Sequence, residues 1–177
     1  MCDIAFAGLR PKVDAILKKL KKQHYSIVTA ESCTAGLLSA LLSKGDGASE
    51  VLEGAFVCYT KNHKATALGL SPALLEEKTA VAAEVAAGMA KGALERSSAD
   101  CVLAVTGVLG PEPDEDANPV GLVFIARQWR GEEPKIERHD FGSLPHEELC
   151  SRTLSAALDL IGTPMHCILP ENLTQQI

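Results

Sequence analysis

Three short stretches hold the residues best able to do chemistry. "TAESCTAG" carries Glu31, Ser32, Cys33 and Thr34 between an apolar run and a helical one. "CYTKNHK" carries Tyr59, Lys61, His63 and Lys64, and "VTGVLGP" carries Thr106 with Gly107 and Gly110. A serine becomes a nucleophile when a base takes its proton, and a lysine desolvated in a pocket can be that base because burial disfavours its charged form. Ser32 with Lys64 or Lys61, and Tyr59 as a relay, is therefore a candidate hydrolytic set. Cys33 offers a second chemistry, since a thiol at a helix N-terminus can be reactive, with His63 as its partner. The structural alternative is that Ser32 or Thr34 simply caps a helix. His24, His139, His146 and His166 lack metal-ligand spacing and read as surface residues. The cysteines at 2, 33, 58, 101, 150 and 167 include no CxxC pair, so reduced structural thiols and no bound metal are expected.

Elements must bring these stretches together. Val13, Ile16, Leu17 and Leu20 recur at helical spacing over 10–23, with Pro11 in the first turn. "YSIVTA" (25–30), "VLEGAFVCYT" (51–60) and "DCVLAVTG" (100–107) read as strands, the last buried on both faces. A helix is expected from Thr34 through Leu37, Leu38, Leu41 and Leu42, ending at Gly45 and Gly47. Another stops at Gly69, a third starts with Ser71 as N-cap and Pro72, and an alanine-rich helix spans 82–96. Residues 108–119, with three prolines and four acids, form a loop. "VGLVFIARQW" and "PKIERHDF" read as an antiparallel pair, followed by a helix from about Pro145 and an extended tail at 163–177. Alternating strands and helices predict a three-layer α/β/α sandwich on a mainly parallel, mixed sheet. It forms a single domain over 1–177, with its core at about 10–162. In such sheets the ligand crevice lies beyond the carboxyl ends of the strands, where all three stretches fall.

Composition narrows the function classes. A net charge of -6 leaves no electrostatic footprint for nucleic acid, and the lysines of "LKKLKKQ" suit the solvated end of a helix. No run approaches the roughly 18–20 apolar residues of a membrane span, and the N-terminal segment has the reverse polarity of a secretory signal, so a cytoplasmic protein is expected. With 46% of its 177 residues hydrophobic, the chain is also expected to self-associate.

Taken in order, "TAESCTAGLLSALL", "GAFVCYTKNHKATALGL", "EVAAGMAKGAL", "ADCVLAVTGVLGP" and "NPVGLVFIA" resemble the C-terminal domain of the CinA competence and damage-inducible proteins. The likeness reaches about residue 162, and the family's T-A-E-S-C-T-G-G differs here only at Ala35. Active members are nicotinamide mononucleotide deamidases. The resemblance therefore implies hydrolysis of the nicotinamide amide to nicotinate mononucleotide and ammonia, with no cofactor and a pyridine nucleotide as substrate. It places the nucleophile on Ser32, the Y-[ST]-x-x-x-K tyrosine and lysine on Tyr59 and Lys64, and a hydroxyl–glycine pair on Thr106 and Gly107. Backbone amides of the Ser32-Cys33-Thr34 turn would hold the oxyanion, and Gly110 and Arg152 would complete the substrate site. Larger relatives carry an N-terminal pyrophosphate hydrolase region, so this chain resembles the stand-alone form. Two departures stand out. The family's glycine-rich GPxGG loop is replaced by "GPEPDEDANPVG", which puts Glu112, Asp114, Glu115 and Asp116 where they would repel a phosphate. Of the arginines in the family's GDRxxVR, "GSLPHEELCSR" keeps at most Arg152. A second reading is a CinA-like homologue that binds a nucleotide ligand or a partner without turnover.

Overall fold

The computed structural model describes residues 8–162. In chain order the elements are α1 (Arg10–Lys22), β1 (Ile27–Glu31), α2 (Leu37–Ser43), α3 (Ala48–Val51), β2 (Leu52–Val57) and α4 (Lys61–Leu68). They continue with α5 (Pro72–Glu77), α6 (Ala83–Glu95), β3 (Cys101–Gly107), β4 (Leu122–Trp129), β5 (Lys135–Asp140) and α7 (His146–Gly162). The five strands form one sheet in the order β2-β1-β3-β4-β5. β1 pairs in parallel with β2 and β3, whereas β3–β4 and β4–β5 are antiparallel, so the sheet is mixed, with its parallel part at the β2 side. The expected tail at 163–177 lies outside the described residues.

Two apolar layers sandwich the sheet, and strand parity sorts residues between them. Ile27, Cys101, Leu103 and Val105 face the layer of α1, α2, α3 and α7, with Val13, Leu17, Leu38, Leu42 and Leu154. Val28, Ala30, Val102, Ala104 and Ala126 face α4, α5 and α6, with Leu68, Val85, Met89 and Ala93. Small residues on this second face let the alanine-rich α6 approach closely. Gly92 marks the tightest point, because a Cβ there would collide with the Leu68 carbonyl of α4. Gly92→Ala is therefore expected to destabilise the domain by about 1–3 kcal/mol through overpacking, read as a lower urea midpoint at unchanged m-value.

The region after β1 departs from expectation. The helix begins at Leu37 rather than Thr34, because Ala35 (φ 47°) and Gly36 (φ 94°) adopt left-handed backbone. Successive turns precede it, with Ala35 N–H donating to Ser32 O at 3.0 Å and Leu37 N–H to Thr34 O at 2.9 Å. Thr34 is not the cap: Gly36 holds that position and no cap-residue side chain bonds the first turn. Ser71 does occupy the N-cap position of α5, also without a side-chain bond, whereas Thr60 caps α4 by accepting the His63 amide at 3.1 Å.

Candidate active site

Parity along β1 also decides how the hinge is built. Glu31 follows Ile27 and Thr29 on the α1/α2 face, and Ser32 follows Val28 and Ala30 towards α4. The fully buried Glu31 carboxylate accepts five hydrogen bonds. Two come from hydroxyls, Thr29 Oγ1 (3.0 Å) and Thr34 Oγ1 (2.8 Å). Three come from backbone amides opening α2, Gly36 (3.0 Å), Leu38 (2.9 Å) and Ser39 (2.8 Å). A carboxylate from the preceding strand thus does what a cap side chain would do, and clamps the turn that presents Ser32. Thr34, expected at the substrate, is instead wholly buried in this network, where it supports the turn, and it does not line the cavity described next.

On the other face a cavity of about 390 Å³ opens at the carboxyl ends of β1, β2 and β3. Ser32 and Cys33, Tyr59 to Lys61 with Lys64, and Thr106 to Gly110 line it, so the three chemical stretches do meet. Lys64 is 1% exposed, yet its Nζ donates to Ser32 Oγ at 2.8 Å and to the Tyr59 carbonyl at 3.4 Å. Burial pushes the Lys64 ammonium below the ordinary lysine range, and the charge of Lys61 adds to the effect. Thiolates at Cys33 and Cys58 would oppose it. Desolvation, however, pushes the Cys33 thiol up to about 12, with Cys150 adding and Lys64 only partly opposing, so the thiol stays neutral near pH 7.

These positions correct several expectations. Lys61 is not the partner of Ser32: its Nζ sits 2.7 Å from Asp116 and 3.2 Å from Glu115, and the Asp116 hydrogen bond above all holds its pKa up. The Cys33–His63 pair does not form, because His63 is exposed and outside the cavity. Tyr59 reaches Lys64 through its carbonyl, while its 68% exposed side chain makes no hydrogen bond to the dyad, so a phenol relay is not built. Arg152 lies outside the cavity, with Nε and Nη2 both on Glu148 Oε1 at 3.1 and 2.7 Å. Thr106 is in place, its Oγ1 donating to Ala80 O at 2.7 Å and keeping lone pairs to accept from a ligand. Of the turn's amides, that of Ser32 is engaged by Val105 O at 3.0 Å.

His146 is exposed, as expected of a surface residue, but it stands at the cavity rim, with Nδ1 2.9 Å from Leu109 O and Nε2 3.3 Å from Cys150 Sγ. A carbonyl only accepts, so Nδ1 carries the ring proton and donates it, and Nε2 accepts a hydrogen bond from the Cys150 thiol. The start of α7 is thereby tied to the loop after β3. No sequence spacing signals this contact, which depends on the return of the chain after β5. Among the described residues, no group of three or more His, Cys, Asp or Glu side chains could hold a metal ion, and Cys33, Cys58, Cys101 and Cys150 are free. No described helix is long and apolar enough to cross a membrane.

Comparison with known proteins identifies the family and the fold. The family described as CinA C-terminal domain matches residues 10–165. The chain belongs to the CinA C-terminal domain family. A CinA-like protein of Geotalea daltonii is 44% identical over 122 residues, which cover 68% of this chain and 30% of that one. A Mycobacterium avium CinA-like protein is 46% identical over 117 residues, 66% of this chain and 27% of that one. The aligned part thus spans less than a third of these CinA-like relatives. Among solved structures, a competence/damage inducible protein of Agrobacterium tumefaciens superposes with a TM-score of 0.82 at 33% identity, covering 85% of this chain and 92% of its own. A CinA superfamily protein of Escherichia coli gives 0.81 at 32% identity, covering 85% and 87%. The CinA fold therefore accounts for the mixed five-stranded sheet and the helices on both its faces.

Proposed function

We propose that this chain is an amidohydrolase of the nicotinamide-nucleotide amidase type, acting on a pyridinium carboxamide through Ser32 and Lys64. The single observation that supports this most is the 2.8 Å Lys64 Nζ–Ser32 Oγ hydrogen bond inside the cavity, with the lysine desolvated. In its neutral form Lys64 accepts the Ser32 proton as Oγ attacks the amide carbon. Of the turn's amides, that of Cys33 remains to face the oxyanion, since that of Ser32 is held by Val105 and Thr34 does not line the cavity. The C–N bond breaks as Lys64 returns the proton to the departing nitrogen, which leaves as ammonia. Water then attacks the Ser32 ester and gives a proton to Lys64, which returns it to Ser32 Oγ as the acyl–oxygen bond breaks; the carboxylic acid so released loses its proton to solvent.

Ammonia release should be measured from nicotinamide mononucleotide and from its unphosphorylated nucleoside. Turnover of at least one, falling about 10³-fold or more in Ser32→Ala, is the expected result. Turnover of neither, or turnover unchanged in that variant, would overturn the reading. The pH dependence follows from the lowered Lys64 pKa. Because the base must be neutral, kcat/KM should climb as pH rises through that value and then level off.

A further inference from the structure

Charge at the cavity distinguishes between substrates, on the reading that the cavity is an amidase site. Its charged lining is Lys61, Lys64, Glu112, Asp114 and Glu115, and no arginine contributes to it. Both cations are engaged by the protein. Lys64 is buried on Ser32 and Tyr59, and Lys61 is held between Asp116 and Glu115. Asp114 is bound into its own loop, accepting from the amides of Asp116 (3.1 Å) and Asn118 (2.8 Å) and from Asn118 Nδ2 (2.9 Å). Glu112 is exposed at the rim and has no hydrogen bond or ion pair among the described residues. With Lys64 neutral for catalysis, the one remaining cation faces four carboxylates, Asp116 included, and the rim carries net negative charge.

A pyridinium ring bears one positive charge, so a nicotinamide nucleoside enters with net charge about +1, whereas its 5′-monophosphate, carrying nearly two negative charges at neutral pH, enters near -1. Like charges in a cleft repel and opposite charges concentrate there. Phosphate recognition further relies on arginine forks or free cations, and neither lines this cavity. We propose that the site takes an unphosphorylated pyridinium carboxamide, a nicotinamide nucleoside, in preference to the mononucleotide, and that Glu112 is a residue setting this choice.

The test compares kcat/KM for the two compounds at low and at about 0.5 M salt, with binding of each to Ser32→Ala protein by calorimetry. The nucleoside is expected to be preferred at least tenfold at low salt. The preference should shrink as salt screens the rim, and Glu112→Gln should narrow it at least threefold, chiefly by improving the mononucleotide. Equal or better use of the mononucleotide, or a ratio indifferent to Glu112→Gln, overturns the proposal while leaving the amidase reading intact. If neither compound is hydrolysed the amidase reading fails, and the binding comparison then decides this one. Tighter nucleoside binding supports it, and equal, weaker or absent binding overturns it.

Discussion

Glu31→Ala should unfold the domain about 6–20 °C below the parent. The carboxylate is wholly buried and accepts three backbone amides and two hydroxyls. Its removal leaves the amides of Gly36, Leu38 and Ser39 without acceptors in a site closed to solvent. Each orphaned donor costs about 1–3 kcal/mol, partly recovered by water entering the vacated space and by rotation of the hydroxyls, so a net loss of about 3–5 kcal/mol is expected. For a chain of this size each kcal/mol corresponds to about 2–4 °C. Glu31→Gln tests the cause, since it keeps the volume but turns an NH2 towards donors. It should also destabilise the domain, and it should depress turnover in the protein that remains folded, because the turn carrying Ser32 loses its clamp. A midpoint shift below about 2 °C in the alanine variant would show that the network is not a principal support.

Lys64→Met separates chemistry from stability in the opposite sense. Amide hydrolysis should fall about 10³-fold with the loss of the general base, while thermal stability is retained or raised. The physical reason is that a buried ammonium is held at a cost, which an apolar chain of similar length does not incur. Lys64→Arg should be equally inactive, because a guanidinium does not release its proton to become a base. The sign of the pH effect can be checked. The folded-state pKa of Lys64 lies below its unfolded value, so between the two the unfolded chain binds the extra proton and stability rises with pH. The stability gained by Lys64→Met is therefore largest below the folded pKa and declines as pH rises towards the ordinary lysine value. A destabilised Met variant would mark Lys64 as structural, and an active one would remove it from the mechanism.

Much of the fold was legible because its signals are local. The continuous apolar run of β3, the helical spacing of Val13, Ile16, Leu17 and Leu20, and Gly69 at the left-handed C-cap of α4 each follow from short-range sterics and burial. The start of α2 was not legible. Thr34 has the chemistry of a cap, but its hydroxyl donates to Glu31, which takes the amides of Gly36 and Leu38 itself, and backbone angles at Ala35 and Gly36 push the helix three residues on. In the site, Ser32, Thr106 and the pair Lys61 and Lys64 were legible as polar residues at or just beyond strand ends. Arg152 was misplaced because its i−4 neighbour Glu148 is near enough to hold it on the outer face of α7.

By itself the sequence determined the alternation of strands and helices, the burial of β3 on both faces, and three polar stretches at the carboxyl ends of β1, β2 and β3. Hydrophobic periodicity and turn chemistry act over a few residues, so they can be read without neighbours. Only the tertiary structure decided which lysine meets Ser32. Lys61 and Lys64 are three residues apart on one short helix, and the acidic loop takes the first while the core desolvates the second. That choice turns on where residues 115 and 116 return to α4, a distance in space that no local spacing encodes.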